Sequence, residues 1–291
     1  MLFIKNNTYL KKNHQFREFT LVSANNPKSK MVKSFQKDSL KVRMYPSRYD
    51  MGSAASVDVA ATIRMLLSEK QELNIIFAAA PSQNEFLEAL CAEKNIDWTR
   101  INAFHMDEYI KLPTDAPQGF GNFLKERIFG KLPFRSINYL NGNCPNPEQE
   151  CERYSSLLQQ HPVDIVCMGI GENGHIAFND PHVARFDDPE LVKIVDLDER
   201  CRMQQVNDGC FAVINEVPTH ALTLSVPALM SGKYLFCIVP AKTKAWAVYH
   251  TINDTVSEVV PATRLREHKN AILYIDSDSA GMLSSNIVST K

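Results

Sequence analysis

Residues 163–175 read Val163-Asp164-Ile165-Val166-Cys167-Met168-Gly169-Ile170-Gly171-Glu172-Asn173-Gly174-His175, and this stretch decides the fold. It opens on a nearly continuous apolar run that ends in a glycine loop, the form a strand takes when both of its faces are buried. The same alternation repeats outward in both directions. Upstream, the pattern predicts strands at Val42–Tyr45, Leu73–Ala80, Arg100–His105 and Ile137–Leu140, with helices over 52–68, from Ser82, near 120–129 and over 147–160. Downstream, strands are expected at Lys193–Leu197, Ala221–Val226, Tyr234–Val239 and Ala271–Asp276, with helices between most of them. Short apolar strands alternating with helices specify an α/β fold: a single doubly wound, mostly parallel sheet with helices on both faces. No Pro/Gly/Ser-rich linker interrupts residues 40–291, which are expected to form one domain.

Composition narrows the function classes. The chain has 291 residues, is 44% hydrophobic and 22% charged, and carries a formal charge of −1. This excludes a disordered or fibrous chain and a basic protein that coats nucleic acid. The total hides an asymmetry: residues 1–39 hold eight Lys/Arg against two acids, and the remainder holds 24 against 31. Residues 1–39 therefore read as a basic N-terminal extension on a mildly acidic body. The seven cysteines (Cys91, Cys144, Cys151, Cys167, Cys201, Cys210 and Cys237) are scattered and include no CxxC. They suggest neither a disulfide framework nor a metal module, and they fit a reducing, cytoplasmic setting. No apolar run approaches the ~20 residues of a membrane span, so no membrane partner is expected.

In a Rossmann-like sheet ligands bind beyond the carboxyl ends of the strands, so chemistry is expected in the loops after residues 80, 105, 168 and 239. Gly169–Gly174 fits GxGxxG literally, but it runs into His175-Ile176-Ala177-Phe178-Asn179-Asp180-Pro181 instead of opening a helix. A dinucleotide site is set aside on that ground. The better reading is a tight turn, built on Gly171 and Gly174, that lets a ligand approach the backbone. His175 at its exit is then an acid/base candidate. After residue 105 come Asp107 and Glu108. On extended backbone they point to opposite sides, so at most one faces the pocket and the other is free to pair or cap a helix, although spacing alone favours two solvated carboxylates.

These residues carry a family resemblance. Phe104-His105-Met106-Asp107-Glu108-Tyr109-Ile110-Lys111-Leu112-Pro113 resembles the FNMDEYxxLP segment of glucosamine-6-phosphate deaminases, and residues 169–181 resemble their GxGxDGHIAFNEP segment. Ile137-Asn138-Tyr139-Leu140-Asn141-Gly142-Asn143 is similar to the INxLNGN stretch between them. The resemblance runs from about residue 42 to the C-terminus. The HIAFN run sets the deaminases apart from the sister 6-phosphogluconolactonases. It implies aldose–ketose isomerisation of an amino sugar phosphate with loss of ammonia, no organic cofactor and no metal, and a homo-oligomer. Asp107 would move a proton between C2 and C1, His175 would open the sugar ring, and Asp180 would support that histidine.

Three departures from the family pattern qualify these expectations. Asn173 replaces an acid two residues before the histidine, and an amide supplies no charge. Asp180 replaces a glutamate, one methylene longer, and a misplacement of ~1 Å can cost about 100-fold in rate. The phosphate loop, glycine-rich in the family, reads Ala78-Ala79-Ala80-Pro81-Ser82-Gln83-Asn84-Glu85. Ser82, Gln83 and Asn84 are its candidate substrate contacts. Ser82 with Glu85 forms a capping-box pattern, in which Glu85 would occupy the N–H groups that a phosphate needs. Lys244 is a counterpart of the family's phosphate-binding lysine. Its arginine has no counterpart where Gln204 and Gln205 stand, although Arg200 and Arg202 lie nearby. The leading expectation is a deaminase whose substrate is altered or lacks the 6-phosphate. The alternatives are a lactonase or non-deaminating isomerase on the same fold, and a sugar-binding homologue that has lost catalysis.

Overall fold

The computed structural model describes residues 31–283. Most of the basic extension, residues 1–30, lies outside them. In chain order the elements are β1 Lys33–Lys37, β2 Leu40–Tyr45, α1 Arg48–Glu69, β3 Leu73–Phe77, α2 Asn84–Ala92, β4 Ile101–His105, β5 Asp107–Tyr109, α3 Phe120–Leu124, β6 Ser136–Asn138, α4 Pro147–Gln160 and β7 Ile165–Met168. They continue with β8 Val192–Asp196, α5 Glu199–Asn207, β9 His220–Leu224, α6 Val226–Met230, β10 Tyr234–Val239, α7 Ala245–Asn253 and β11 Ala271–Asp276. A π-helical turn, Lys125–Phe129, extends α3.

The main sheet has eight strands in the order β1-β2-β11-β10-β7-β3-β4-β6, and only β1 runs antiparallel to its neighbour. Alternate residues of each central strand enter different cores. Ile75, Phe77, Ile165, Cys167 and Ile238 pack with α1 and α2 on one face. Ile76, Val166, Met168, Cys237 and Val239 pack with α4 and α7 on the other. This two-sided burial is why the strands read as apolar runs. Helix starts follow local chemistry: Ser47 caps α1, Asn146 caps α4 with Pro147 behind it, and Asp198 caps α5 by accepting from the Cys201 N–H at 2.6 Å.

Two strands expected in the main sheet lie elsewhere. β8 and β9 join β5 in a separate antiparallel sheet of order β5-β9-β8. The chain leaves β4 at Met106, whose carbonyl accepts from Leu224 N–H at 2.8 Å, and continues as β5 past the carboxyl edge of the main sheet. The small sheet thus forms a wall over that edge. The main sheet also begins before residue 40, because β1 pairs along its whole length with β2 through a turn at Asp38. Among the described residues, no helix is long and apolar enough to cross a membrane.

From β3 the chain moves toward β4, and from the adjacent β7 it moves toward β10. The switch point therefore lies between the carboxyl ends of β3 and β7, where a doubly wound sheet opens a crevice.

Candidate active site

A narrow cleft of about 60 Å³ opens at that switch point. Ala78–Ala80, Ser82 and Gln83 line it from the β3 loop, Asp107 from the start of β5, Gly171 and His175 from the β7 loop, Gln204 and Gln205 from α5, and Lys244 from the turn before α7. A larger hollow of about 280 Å³ lies on the Glu108 side of the same strand, with neither Asp107 nor His175 in its wall.

The β7 loop is folded by its glycines. Gly171 N–H bonds back to His175 C=O at 2.9 Å, and Gly174 takes φ +87°. A Cβ on Gly171 would stand 2.1 Å from His175 Nε2, so only glycine lets the imidazole lie against this backbone. Gly174 packs on Val260 outside the cleft lining. Beyond the histidine, Ala177 at φ +48° turns the chain back, and Asn179 pins the turn through Ile176 and Leu224 carbonyls. That turn brings Asp180 within 2.8 Å of His175 Nδ1, so the shorter carboxylate makes the contact. A carboxylate only accepts, so Nδ1 carries the proton and Nε2 is the nitrogen left for chemistry.

Asn173 is buried behind the imidazole rather than in the cleft. Its Oδ1 accepts from His175 N–H at 3.0 Å, and its Nδ2 donates to Asp180 at 2.9 Å and to Asp198 at 3.2 Å. The amide therefore bridges two carboxylates. Burial alone would raise the Asp180 carboxyl. His175, the Asn173 amide and the Asp198 N–H outweigh it and hold Asp180 below the ordinary carboxylate range. Cys201 brings a third donor atom within 4.8 Å of a His175 ring nitrogen and Asp180, a grouping that could hold a metal ion. The same groups already satisfy one another as an acid/base unit.

Asp107 and Glu108 face opposite ways. Asp107 is buried at the cleft, and desolvation, with Glu108 adding to it, pushes its carboxyl well above the ordinary range. Glu108 accepts from Tyr109, Phe120 and Gly121 N–H groups at 2.8–3.1 Å and so ties α3 to the strand. His105, where the family segment has asparagine, accepts from Leu140 N–H at 2.8 Å, and burial lowers its pKa to about 4. It is a neutral structural histidine.

The β3 loop departs from its expected form. No side chain caps α2. Glu85 turns away to Arg48, with N–O contacts of 2.7 and 2.8 Å, and Arg48 also donates to Pro81 C=O at 3.0 Å. The capping box fails because a guanidinium on α1 competes for the carboxylate and wins. Gln83 donates to Ser82 Oγ and Ile238 C=O, both at 3.1 Å, and its buried Oε1 has no partner among the described residues. Asn84 is not in the cleft: its Oδ1 accepts from Arg127 Nε at 2.8 Å. Lys244 is only 4% exposed, and burial lowers its pKa although Asp208 and Glu172 lie near enough to raise it. Gln204 and Gln205 line the cleft, and Gln204 accepts from Glu172 N–H at 2.7 Å. The doublet's only signal in the sequence is that it fills the space of an expected arginine. Arg202 is spent on the Ile214 and Val217 carbonyls.

The chain is similar to known proteins in sequence and in fold. The family described as glucosamine-6-phosphate isomerases/6-phosphogluconolactonase matches residues 46–274. A glucosamine-6-phosphate deaminase of Bacillus thuringiensis (strain Al Hakam) is 35% identical over 195 residues, 67% of this chain and 72% of its own. Among solved structures, a monomeric glucosamine-6-phosphate deaminase superimposes with a TM-score of 0.75 at 28% identity, covering 83% of this chain and 99% of its own. A 6-phosphogluconolactonase from Thermotoga maritima superimposes with a TM-score of 0.67 at 20% identity over 81% of this chain and 99% of its own, which speaks to the fold alone.

Proposed function

The chain belongs to the glucosamine-6-phosphate isomerase/6-phosphogluconolactonase family, and from that premise we propose that it is an amino-sugar-phosphate deaminase acting on glucosamine 6-phosphate. The observation that carries the reading is one cleft with a poised acid/base pair, Asp107 and His175, together with a buried cation, Lys244. A buried ammonium is costly without an anion. The substrate's phosphate would supply one, and the uncapped start of α2 adds N–H groups that favour it.

In the proposed reaction His175 Nε2 carries a proton to the ring oxygen as the C1 hydroxyl gives one up, and the ring opens. Asp107 takes the proton from C2 and returns it at C1 while O1 gains a proton that the C2 ammonium gives up, which turns the aminoaldehyde into an imine at C2 with a hydroxyl at C1. Water adds at C2 and ammonia leaves, giving fructose 6-phosphate, so the net step is hydrolytic. Asp107 suits this role because burial raises its basicity well above that of a solvated carboxylate. Asp180 supports the imidazolium that forms in passing.

The test is ammonia release from glucosamine 6-phosphate, run beside unphosphorylated glucosamine and 6-phosphogluconolactone. Ammonia release from the phosphorylated amino sugar is expected, abolished by Asp107→Asn. Folded protein that releases none, or that hydrolyses the lactone at enzymatic rates instead, would overturn the reading.

A further inference from the structure

Between β4 and β5 the chain leaves the main sheet for the small one, so the place of Asp107 depends on how that crossing is held. Met106 C=O fixes it toward the small sheet, by accepting from Leu224 N–H at 2.8 Å. His105, the last residue of β4 and fully buried, stands on the side of the main sheet.

The His105 ring has little freedom. The Tyr154 hydroxyl accepts the His105 N–H at 3.0 Å and approaches its C=O at 2.9 Å, and Tyr139 packs edge-on to the imidazole at 5.8 Å between centroids. Nε2 accepts from Leu140 N–H at 2.8 Å, so the proton of the neutral ring sits on Nδ1. That Nδ1 is buried and has no partner at hydrogen-bond distance among the described residues. A buried donor is costly without an acceptor, and the nearest backbone supplies one. Burial lowers the pKa of the imidazole, and the Asp107 backbone opposes it. Only an acceptor favours the cationic ring, so the Asp107 C=O is the group that Nδ1–H faces.

We propose that His105 is the positioning residue of the catalytic base: its Nδ1–H holds the Asp107 carbonyl and so aims the Asp107 carboxylate into the cleft. The proposal rests on the base role given to Asp107 above. The carbonyl and the side chain of Asp107 are joined through one Cα, so tethering the first limits how far the second swings. His105 lies outside the cleft lining and touches no substrate; its effect reaches the reaction through Asp107.

The test uses His105→Phe, which keeps a ring and loses both nitrogens, and His105→Asn, which keeps a donor and an acceptor. With glucosamine 6-phosphate, His105→Phe should lower kcat about 10- to 100-fold, the cost of a displacement of ~1 Å, with KM within about twofold. Burial, with Glu108 adding to it, raises the Asp107 carboxyl, and a side chain that swings outward loses the burial. The acid limb of the kcat profile should therefore move to lower pH in His105→Phe. His105→Asn should recover most of kcat and the wild-type limb; if it behaves like His105→Phe, the proposal is overturned. Two NMR measurements need no turnover. The imidazole nitrogen shifts of wild type, which do not depend on the folding of any variant, should show His105 protonated at Nδ1, and protonation at Nε2 would overturn the proposal. The carboxyl titration of Asp107 should fall in midpoint with His105→Phe. An unchanged midpoint beside a lower Tm would make His105 a packing residue and overturn the proposal as well. Absence of ammonia release by wild type, with both NMR results as expected, would count only against the proposed reaction.

Discussion

At Asn173 the sequence shows a lost charge, and the structure shows what the amide does instead. Its Nδ2 stands between Asp180 and Asp198, so an aspartate at this position would crowd three carboxylates where two now share a donor. Asn173→Asp restores the family's residue and should nevertheless harm the protein. It is expected to cost about 1–3 kcal/mol through lost hydrogen bonds and repulsion, read as a lower denaturation midpoint. Activity should fall with it; a variant as stable and active as wild type would show that the bridge is idle. The pH dependence belongs to Asp107. Its carboxyl is raised by burial, and it acts as a base only when ionised, so kcat/KM should fall with decreasing pH well above the ordinary ~3.9 of aspartate. A pH–rate profile flat down to pH ~4.5 would contradict the assignment. That Asp107 and His175 lie at one cleft was legible from a strand end and a glycine loop, while the roles proposed for them came with the family resemblance. The resemblance paired Asp180 with the histidine but did not show how a side chain one methylene shorter would reach it, because the positive φ of Ala177 leaves no mark on an alanine.

The β3–α2 segment shows where element-level reading ended. Ser82 and Glu85 are spaced as a capping box, a local signal, and the residue that defeats it, Arg48, is distant in sequence on α1. The strands were readable because each is apolar on both faces. The departure of β8 and β9 to a second sheet was not, since alternation fixes a strand's faces and not its partner. The Arg48–Glu85 pair also has a functional consequence. Releasing Glu85 with Arg48→Ala would let it fold back onto the start of α2, where a carboxylate competes with phosphate for the same N–H groups. KM for glucosamine 6-phosphate should rise about two- to fivefold, while the double variant with Glu85→Gln, which removes the competing charge, should return toward wild type. No rescue by the second substitution would mean that the loop's shape, and not its charge, had been disturbed.

Across the whole molecule, the family match begins at residue 46, yet the sheet begins at Lys33. The break in composition near residue 39 reflects charge, while the structural boundary follows backbone pairing, which charge does not report. β1 pairs along five residues with β2 and lays partly buried Phe35 against the core that contains Leu40 and Val42. Just beyond it, Asp38 bonds Arg266, a guanidinium only 7% exposed. Removing residues 1–39 would therefore strip an edge strand, open the backbone of β2 to solvent, and leave Arg266 without its carboxylate. With Asp38 itself half exposed, the ion pair contributes about 1 kcal/mol at most, so the larger loss comes from the ladder and from Phe35. A combined loss of roughly 2–3 kcal/mol should lower Tm by about 4–10 °C for a chain of this size. The bared β2 edge should also promote aggregation. Removing only residues 1–30 spares every one of these contacts and should leave Tm above that of the 1–39 truncation by that amount. Equal midpoints for the two truncations, measured side by side, would show that β1 is dispensable and that the fold does start at residue 40.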